Sequence, residues 1–198
     1  MEPYARARQL LESQGSARAR DLRAAGLEGA QITRLVQRGD LVRLARGVYS
    51  LPGRAPSADE GLQIVARRVP DGFFCLLTAL RIHGLTTQAP HSVWLGIAAG
   101  RHAPKLDWPS LRVVRYSGAG LSAGIETHDR DGVPLRVTGV ARTVVDCFKF
   151  RNRIGLDVAL EALAQVRRER RASNDEIWWL ASQLRMANVM RPYLESIV

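Results

Sequence analysis

Apolar positions in the first quarter of the chain recur at helical spacing in short blocks and then switch to a strand-like pattern. Tyr4, Ala7 and Leu11 share one face of a helix in "YARARQLLE", and "ARDLRAAGL" predicts a second short helix over residues 19–25, closed at Gly26. Ile32, Leu35 and Val36 repeat at the i, i+3, i+4 spacing, with Gln31, Thr33, Arg34, Gln37 and Arg38 elsewhere on the surface. A third helix with one apolar and one polar face follows from that spacing, ending at Gly39. Residues 41–44 and 48–51 read as two short strands, and Ala45-Arg46-Gly47 suits a three-residue hairpin with glycine at the positive-φ position. The predicted order is helix, helix, tight turn, helix, hairpin.

Such an order predicts a winged helix-turn-helix, whose third helix enters the major groove while the hairpin lies along the backbone. The residue types fit that use. Gln and Arg pair bidentately with adenine and guanine edges, and Gln31, Thr33, Arg34, Gln37 and Arg38 supply the polar face; Arg43 and Arg46 sit where a wing meets phosphates. The plainer alternative is a small helical subdomain with a solvated charged face.

"PGRAPSADE", residues 52–60, breaks the pattern and divides the chain into 1–53, the DNA-binding domain, and 54–198. Ser57 with Glu60 forms a capping box opening a helix to Arg68, and Pro70-Asp71-Gly72 turns the chain. "FFCLLTALRIHG" is almost wholly apolar and reads as a buried central helix ending at Gly84. "SVWLGI" and "LRVVRYS" read as strands, and "GIETHDRDGVPLRVT" as a hairpin turning at Asp131-Gly132. Helices return over residues 141–151 and 156–170, and again after a Ser173/Glu176 capping box that leads into Ile177, Leu180 and Leu184. Pro192 is expected in the first turn of a short final helix. The fold class expected is α+β, an N-terminal winged helix-turn-helix followed by a mixed α/β C-terminal domain.

Composition adds a partner class. The chain has 198 residues and a formal net charge of +10, which favours a polyanion. Residues 1–54 hold ten Arg against five Asp or Glu, so half of the excess lies in about a quarter of the length. Cys75 and Cys147 lack metal spacing and form no disulfide framework, which points to a reducing compartment. No signal peptide and no membrane-spanning run is read, so a cytoplasmic protein without membrane association is expected.

Candidate chemistry is sparse. "SGAGLSAG" contains Gly118, Gly120 and Gly124, but its spacing departs from the dinucleotide fingerprint and no helix follows, so it reads as a flexible loop. His83, His91, His102 and His128 have no metal-ligand spacing on one helix. Arg142 and Asp146 read as an i, i+4 ion pair, and Asp129 and Asp131 flank a turn rather than a nuclease-like carboxylate set. The expectation is no catalytic site, no metal and no cofactor. In "RRERR", Arg167 and Arg168 complement a helix C-terminus or contact a partner, and adjacent Trp178 and Trp179 point about 100° apart, so that one of them can anchor a partner.

"RGVYSLPG", "LTALRIHGL" followed by a strand, and "TGVARTVVD" occur in an order that resembles the AbiEi-type antitoxins of type IV toxin-antitoxin systems, over almost the whole chain. The resemblance implies an autorepressor that binds inverted repeats in its own promoter through the N-terminal domain. It also implies a C-terminal domain that counters a nucleotidyltransferase toxin. A stand-alone repressor with a ligand- or protein-sensing C-terminal domain is the alternative, and a nucleic-acid-processing enzyme a more distant one. The sequence departs from the family pattern at Glu28, Gly29 and Ala30, where relatives carry Ser and basic residues, and at Arg18, where a Thr or Ser cap is expected.

Overall fold

The structure, a computed structural model, describes residues 3–53, 58–88, 91–106 and 108–196. Helices and two sheets alternate along it, giving a mixed α/β protein. By internal contacts the chain forms two compact units. The first comprises Met1–Pro70, Pro104–Ser110 and His128–Leu135, and the second Asp71–Ala103, Leu111–Thr127 and Arg136–Val198.

In the first unit, helices α1 (Pro3–Gln14), α2 (Ala19–Ala24) and α3 (Gly29–Gln37) surround a core of Ala7, Leu11, Ala17, Leu22, Leu27, Ile32 and Leu41. Of these, Ala7, Leu11 and Ile32 are positions the helical periodicity selects, with Tyr4, Leu35 and Val36 packed against them. The expected hairpin follows as β2 (Val42–Ala45) and β3 (Val48–Ser50), but Ala45 pairs with Val48 inside the ladder and is not part of a three-residue turn. A third strand, β1 (Ser16–Arg18), was not foreseen. It pairs antiparallel with β3, Ser16 opposite Ser50 and Arg18 opposite Val48, giving the order β1-β3-β2. Three residues of which two are the small, fully buried Ser16 and Ala17 carry no readable alternation. Helix α4 (Ala58–Arg68) also belongs to this unit and packs on β1, with Val48 and Ile64 buried together. Ser57, the expected cap of that helix, lies outside the described residues.

A five-stranded sheet has the order β6-β5-β4-β8-β7, with β4 Phe73–Phe74, β5 Val93–Ala98, β6 Leu111–Tyr116, β7 Ile125–Arg130 and β8 Val133–Thr138. Strand β4 runs antiparallel to β5 and parallel to β8, and β5 runs parallel to β6. The expected single helix from Phe73 to Gly84 is therefore corrected. Phe73 and Phe74 form the central strand, and helix α5 (Leu76–Ile82) begins only after Cys75. An unbroken apolar run fits a strand covered on both faces as well as a buried helix, and only pairing partners decide.

Helix α6 (Val140–Lys149) is buried over residues 141–148 and packs against α5, α8 (Leu156–Arg168) and α9 (Asn174–Gln183), with the short α7 (Arg151–Ile154) between α6 and α8. The Ser173 hydroxyl accepts from the Glu176 backbone N–H at 3.1 Å, as its cap position predicts. Two further expectations fail. Pro192 is the sixth residue of α10 (Ala187–Ser196), not part of its first turn; it and Asn188 are exposed, so the carbonyl it leaves unpaired is open to water. The glycine-rich segment is no loose loop, since Gly118–Leu121 form a 3-10 turn and the Arg142 guanidinium donates to the carbonyls of Gly120, at 2.9 Å, and Ala123.

Candidate nucleic-acid interface

Helix α3 turns Ile32 into the core, with Leu35 and Val36 half-buried beside it. Its other face is polar, and its members differ in how much of each side chain is free. The Gln31 Oε1 accepts from the Glu28 backbone N–H at 2.7 Å, and the Thr33 hydroxyl donates to the Gly29 carbonyl at 3.1 Å. Gln31 thus satisfies an N–H at the helix start, whereas the Thr33 hydroxyl bonds back to the carbonyl four residues earlier. Arg38 Nε lies 3.2 Å from Asp40 Oδ2. Arg34 and Gln37 are exposed and have no side-chain partner among the described residues. Their donors are available to a base edge or a phosphate without first breaking an internal bond.

Arg43 and Arg46 are exposed on the β2–β3 hairpin, Arg43 opposite Tyr49 and Arg46 in the turn before Gly47, whose φ is +77°. The turn is held from outside the hairpin, for Ala19 at the start of α2 donates its backbone N–H to the Gly47 carbonyl at 2.9 Å. Arg18 stands at the N-cap of α2, where its side chain cannot accept the bond that Ser or Thr would. Asp21 supplies the reverse bond instead, its Oδ2 accepting from the Arg18 N–H at 3.1 Å. Sequence reading passed over Arg20, Arg67 and Arg68. Each is one arginine among many until β1, α2 and α4 come together.

The C-terminal candidates separate in the same way. Arg167 is half-buried, donating from Nε to Asn174 Oδ1 at 3.0 Å and from Nη2 to the Leu194 carbonyl at 2.7 Å, so it ties α8 to α9 and α10. Arg168 projects outward, its nearest carboxylate Glu169 at 3.9 Å. Trp178 is half-buried with the Arg191 guanidinium 5.6 Å from its ring centroid, whereas Trp179 is 57% exposed.

Several of the groups weighed for chemistry make structural contacts. Arg142 and Asp146 are both fully buried, with Nε 3.1 Å from Oδ2. Burial raises the Asp146 pKa above the ordinary carboxylate range, against the pull of Arg142 and Tyr116. Burial likewise raises the thiols of Cys75 and Cys147, keeping them protonated. Asp129 Oδ1 accepts from the Gly132 N–H at 3.0 Å and Asp131 Oδ2 from Gln63 Nε2 at 3.2 Å, so both carboxylates stabilise the hairpin turn. His83 is buried with Nε2 2.7 Å from the Thr138 carbonyl, whereas His91 and His102 are exposed. No described helix is long and apolar enough to cross a membrane.

Comparison with solved structures finds a crystal structure of the RV2827C protein from Mycobacterium tuberculosis, at a TM-score of 0.59 and 15% identity, covering 91% of this chain and 71% of that one. At that identity the likeness shows a shared fold. No curated protein sequence matches the chain. Residues 5–52, which contain nearly all of α1 and then α2, α3 and the hairpin, match the family model described as transcriptional regulator, AbiEi antitoxin. Over that N-terminal segment the chain is similar to the AbiEi antitoxin transcriptional regulators.

Proposed function

We propose that the chain is a DNA-binding autorepressor and antitoxin without catalytic activity, in which residues 1–53 act as a winged helix-turn-helix on inverted repeats of its own promoter. In this reading α2 and α3 are the helix-turn-helix and the β2–β3 hairpin is the wing. The observation that carries it is the polar face of α3, where Arg34 and Gln37 are exposed and unpaired opposite the buried Ile32. Gln31, Thr33 and Arg38 flank them, and Arg43 and Arg46 meet phosphates beside the groove. The family's description as an antitoxin supports a second role for the C-terminal unit, restraint of a nucleotidyltransferase toxin. Arg168 and Trp179 are then the outward-facing contacts, and Arg167 and Trp178 hold the helices that present them.

The test is a titration of the full chain against its own upstream DNA and a scrambled duplex, read by anisotropy at several salt concentrations. Tighter binding to the upstream DNA, falling steeply as salt rises, is the expected result. Equal binding to both duplexes, or none, would overturn the autoregulatory reading.

A further inference from the structure

The first unit gathers four arginines that the helix-turn-helix reading leaves unused. Arg18 ends β1, Arg20 lies in the first turn of α2, and Arg67 and Arg68 end α4, which packs on β1. Asp21 is the one carboxylate with an ion contact to them among the described residues, its Oδ1 3.3 Å from Arg20 Nε and its Oδ2 3.8 Å from Arg67 Nη1. Asp21 Oδ2 already accepts from the Arg18 backbone N–H. Arg67 is 11% exposed at its side chain, yet Nε and Nη2 have no hydrogen-bond acceptor among the described residues. Arg68 is exposed and has no side-chain partner among the described residues.

Four positive groups against one shared carboxylate leave the cluster under-neutralised. The crowding registers at Arg18, whose pKa is lowered first by burial and then by the charge of Arg20, with Arg68 and Arg67 adding to it and Asp21 opposing. Burial is also the leading cause that lowers Arg67. Like charges held this close are relieved by an anion at the surface, and guanidinium groups match phosphate geometry. The position is informative too, because the Ala19 N–H to Gly47 carbonyl bond places the start of α2 directly against the turn that carries Arg46.

We propose that Arg18, Arg20 and Arg68, backed by Arg67, form a second phosphate-contact patch that extends the backbone grip of the wing past the hairpin turn. This rests on the DNA-binding reading above and adds to it which surface outside the groove-reading helix touches the duplex. The patch contributes affinity and salt dependence and no base preference.

The experiment uses the full chain and the doubly substituted Arg20→Gln, Arg68→Gln, both positions exposed, with the unfolding midpoint as a control for folding. Each is titrated against the upstream duplex and the scrambled duplex across a salt series. The expected result is a slope of log K against log salt shallower by about 1.8, near 0.9 for each lost phosphate contact, with equal weakening on both duplexes and an unchanged midpoint. A slope equal to that of the parent, with the parent binding DNA, overturns the patch and leaves the winged-helix reading standing. A parent that binds neither duplex overturns both. A lowered midpoint with an unchanged slope assigns the cluster to holding α2 against α4 and overturns the patch. Where both midpoint and slope fall, Arg68→Gln alone, with Arg20–Asp21 kept, decides, a slope shallower by about 0.9 supporting the patch and a parental slope overturning it.

Discussion

Arg142 and Asp146, one helical turn apart on α6, are both wholly buried, and their contact is an ion pair rather than a well-directed hydrogen bond. Nε lies 3.1 Å from Oδ2 but makes no hydrogen bond of acceptable geometry, and Asp146 Oδ1 has no hydrogen-bond partner among the described residues. The Tyr116 hydroxyl donates to the same Oδ2 at 2.9 Å. The guanidinium also reaches the Gly120 and Ala123 carbonyls, so one arginine joins α6 to the segment after β6.

That arrangement gives a prediction with a sign in pH. Asp146→Asn replaces the titrating carboxyl by a neutral group of the same shape beside Arg142, so the change of its effect with pH reports the charge on Asp146. The Asp146 pKa is raised in the folded state, chiefly by burial, so the folded chain holds this proton to higher pH than the unfolded chain does. For this group alone, stability is therefore greatest below the ordinary carboxylate range and falls as pH rises from there through the folded value. Since Asn does not titrate, the stability of the parent minus that of the variant should fall as pH rises through that raised value. Urea unfolding of both proteins from pH 4 to 8 measures it; a difference that stays constant would contradict the assignment.

A packing prediction concerns Gly96 on β5. A Cβ there would lie 2.5 Å from the ring of Phe73 on the neighbouring strand, a fully buried ring also 5.0 Å centroid to centroid from Tyr116. Neither ring nor strand can move aside without disturbing the sheet's centre. Gly96→Ala should cost about 2 to 3 kcal/mol by overpacking, measured as a lowered denaturant midpoint at unchanged m-value.

Two arginines should fail differently on DNA under the proposed DNA-binding role. Arg34→Ala should lose discrimination at one defined base, on the order of 1 to 3 kcal/mol, because in that role its exposed guanidinium on α3 would read a base edge. Arg46→Ala should weaken all sequences alike and reduce the salt slope by about one. Competition titrations with single-base variants of the upstream site separate the two, and equal effects of both substitutions on random DNA would sink the assignment.

The sequence by itself determined helices α1 to α3, the β2–β3 hairpin and the polar face of α3. A helix of this kind is encoded by spacing within ten residues, and a hairpin by its turn chemistry, so Ile32, Leu35, Val36 and Gly47 were sufficient. The Ser173 cap and the Arg142–Asp146 pairing were legible for the same reason, as both are contacts within one helical turn. Tertiary structure decided what depends on distant partners. Phe73 and Phe74 became a strand because β5 and β8 flank them, and β1 exists only because β3 offers it an edge. The grouping of Arg18 and Arg20 with Arg67 and Arg68 needs β1 and α4, some 50 positions apart in the chain, to pack together. Charge crowding of that kind has no period and no motif. It arises only when the fold has chosen which solvated side chains must share one surface.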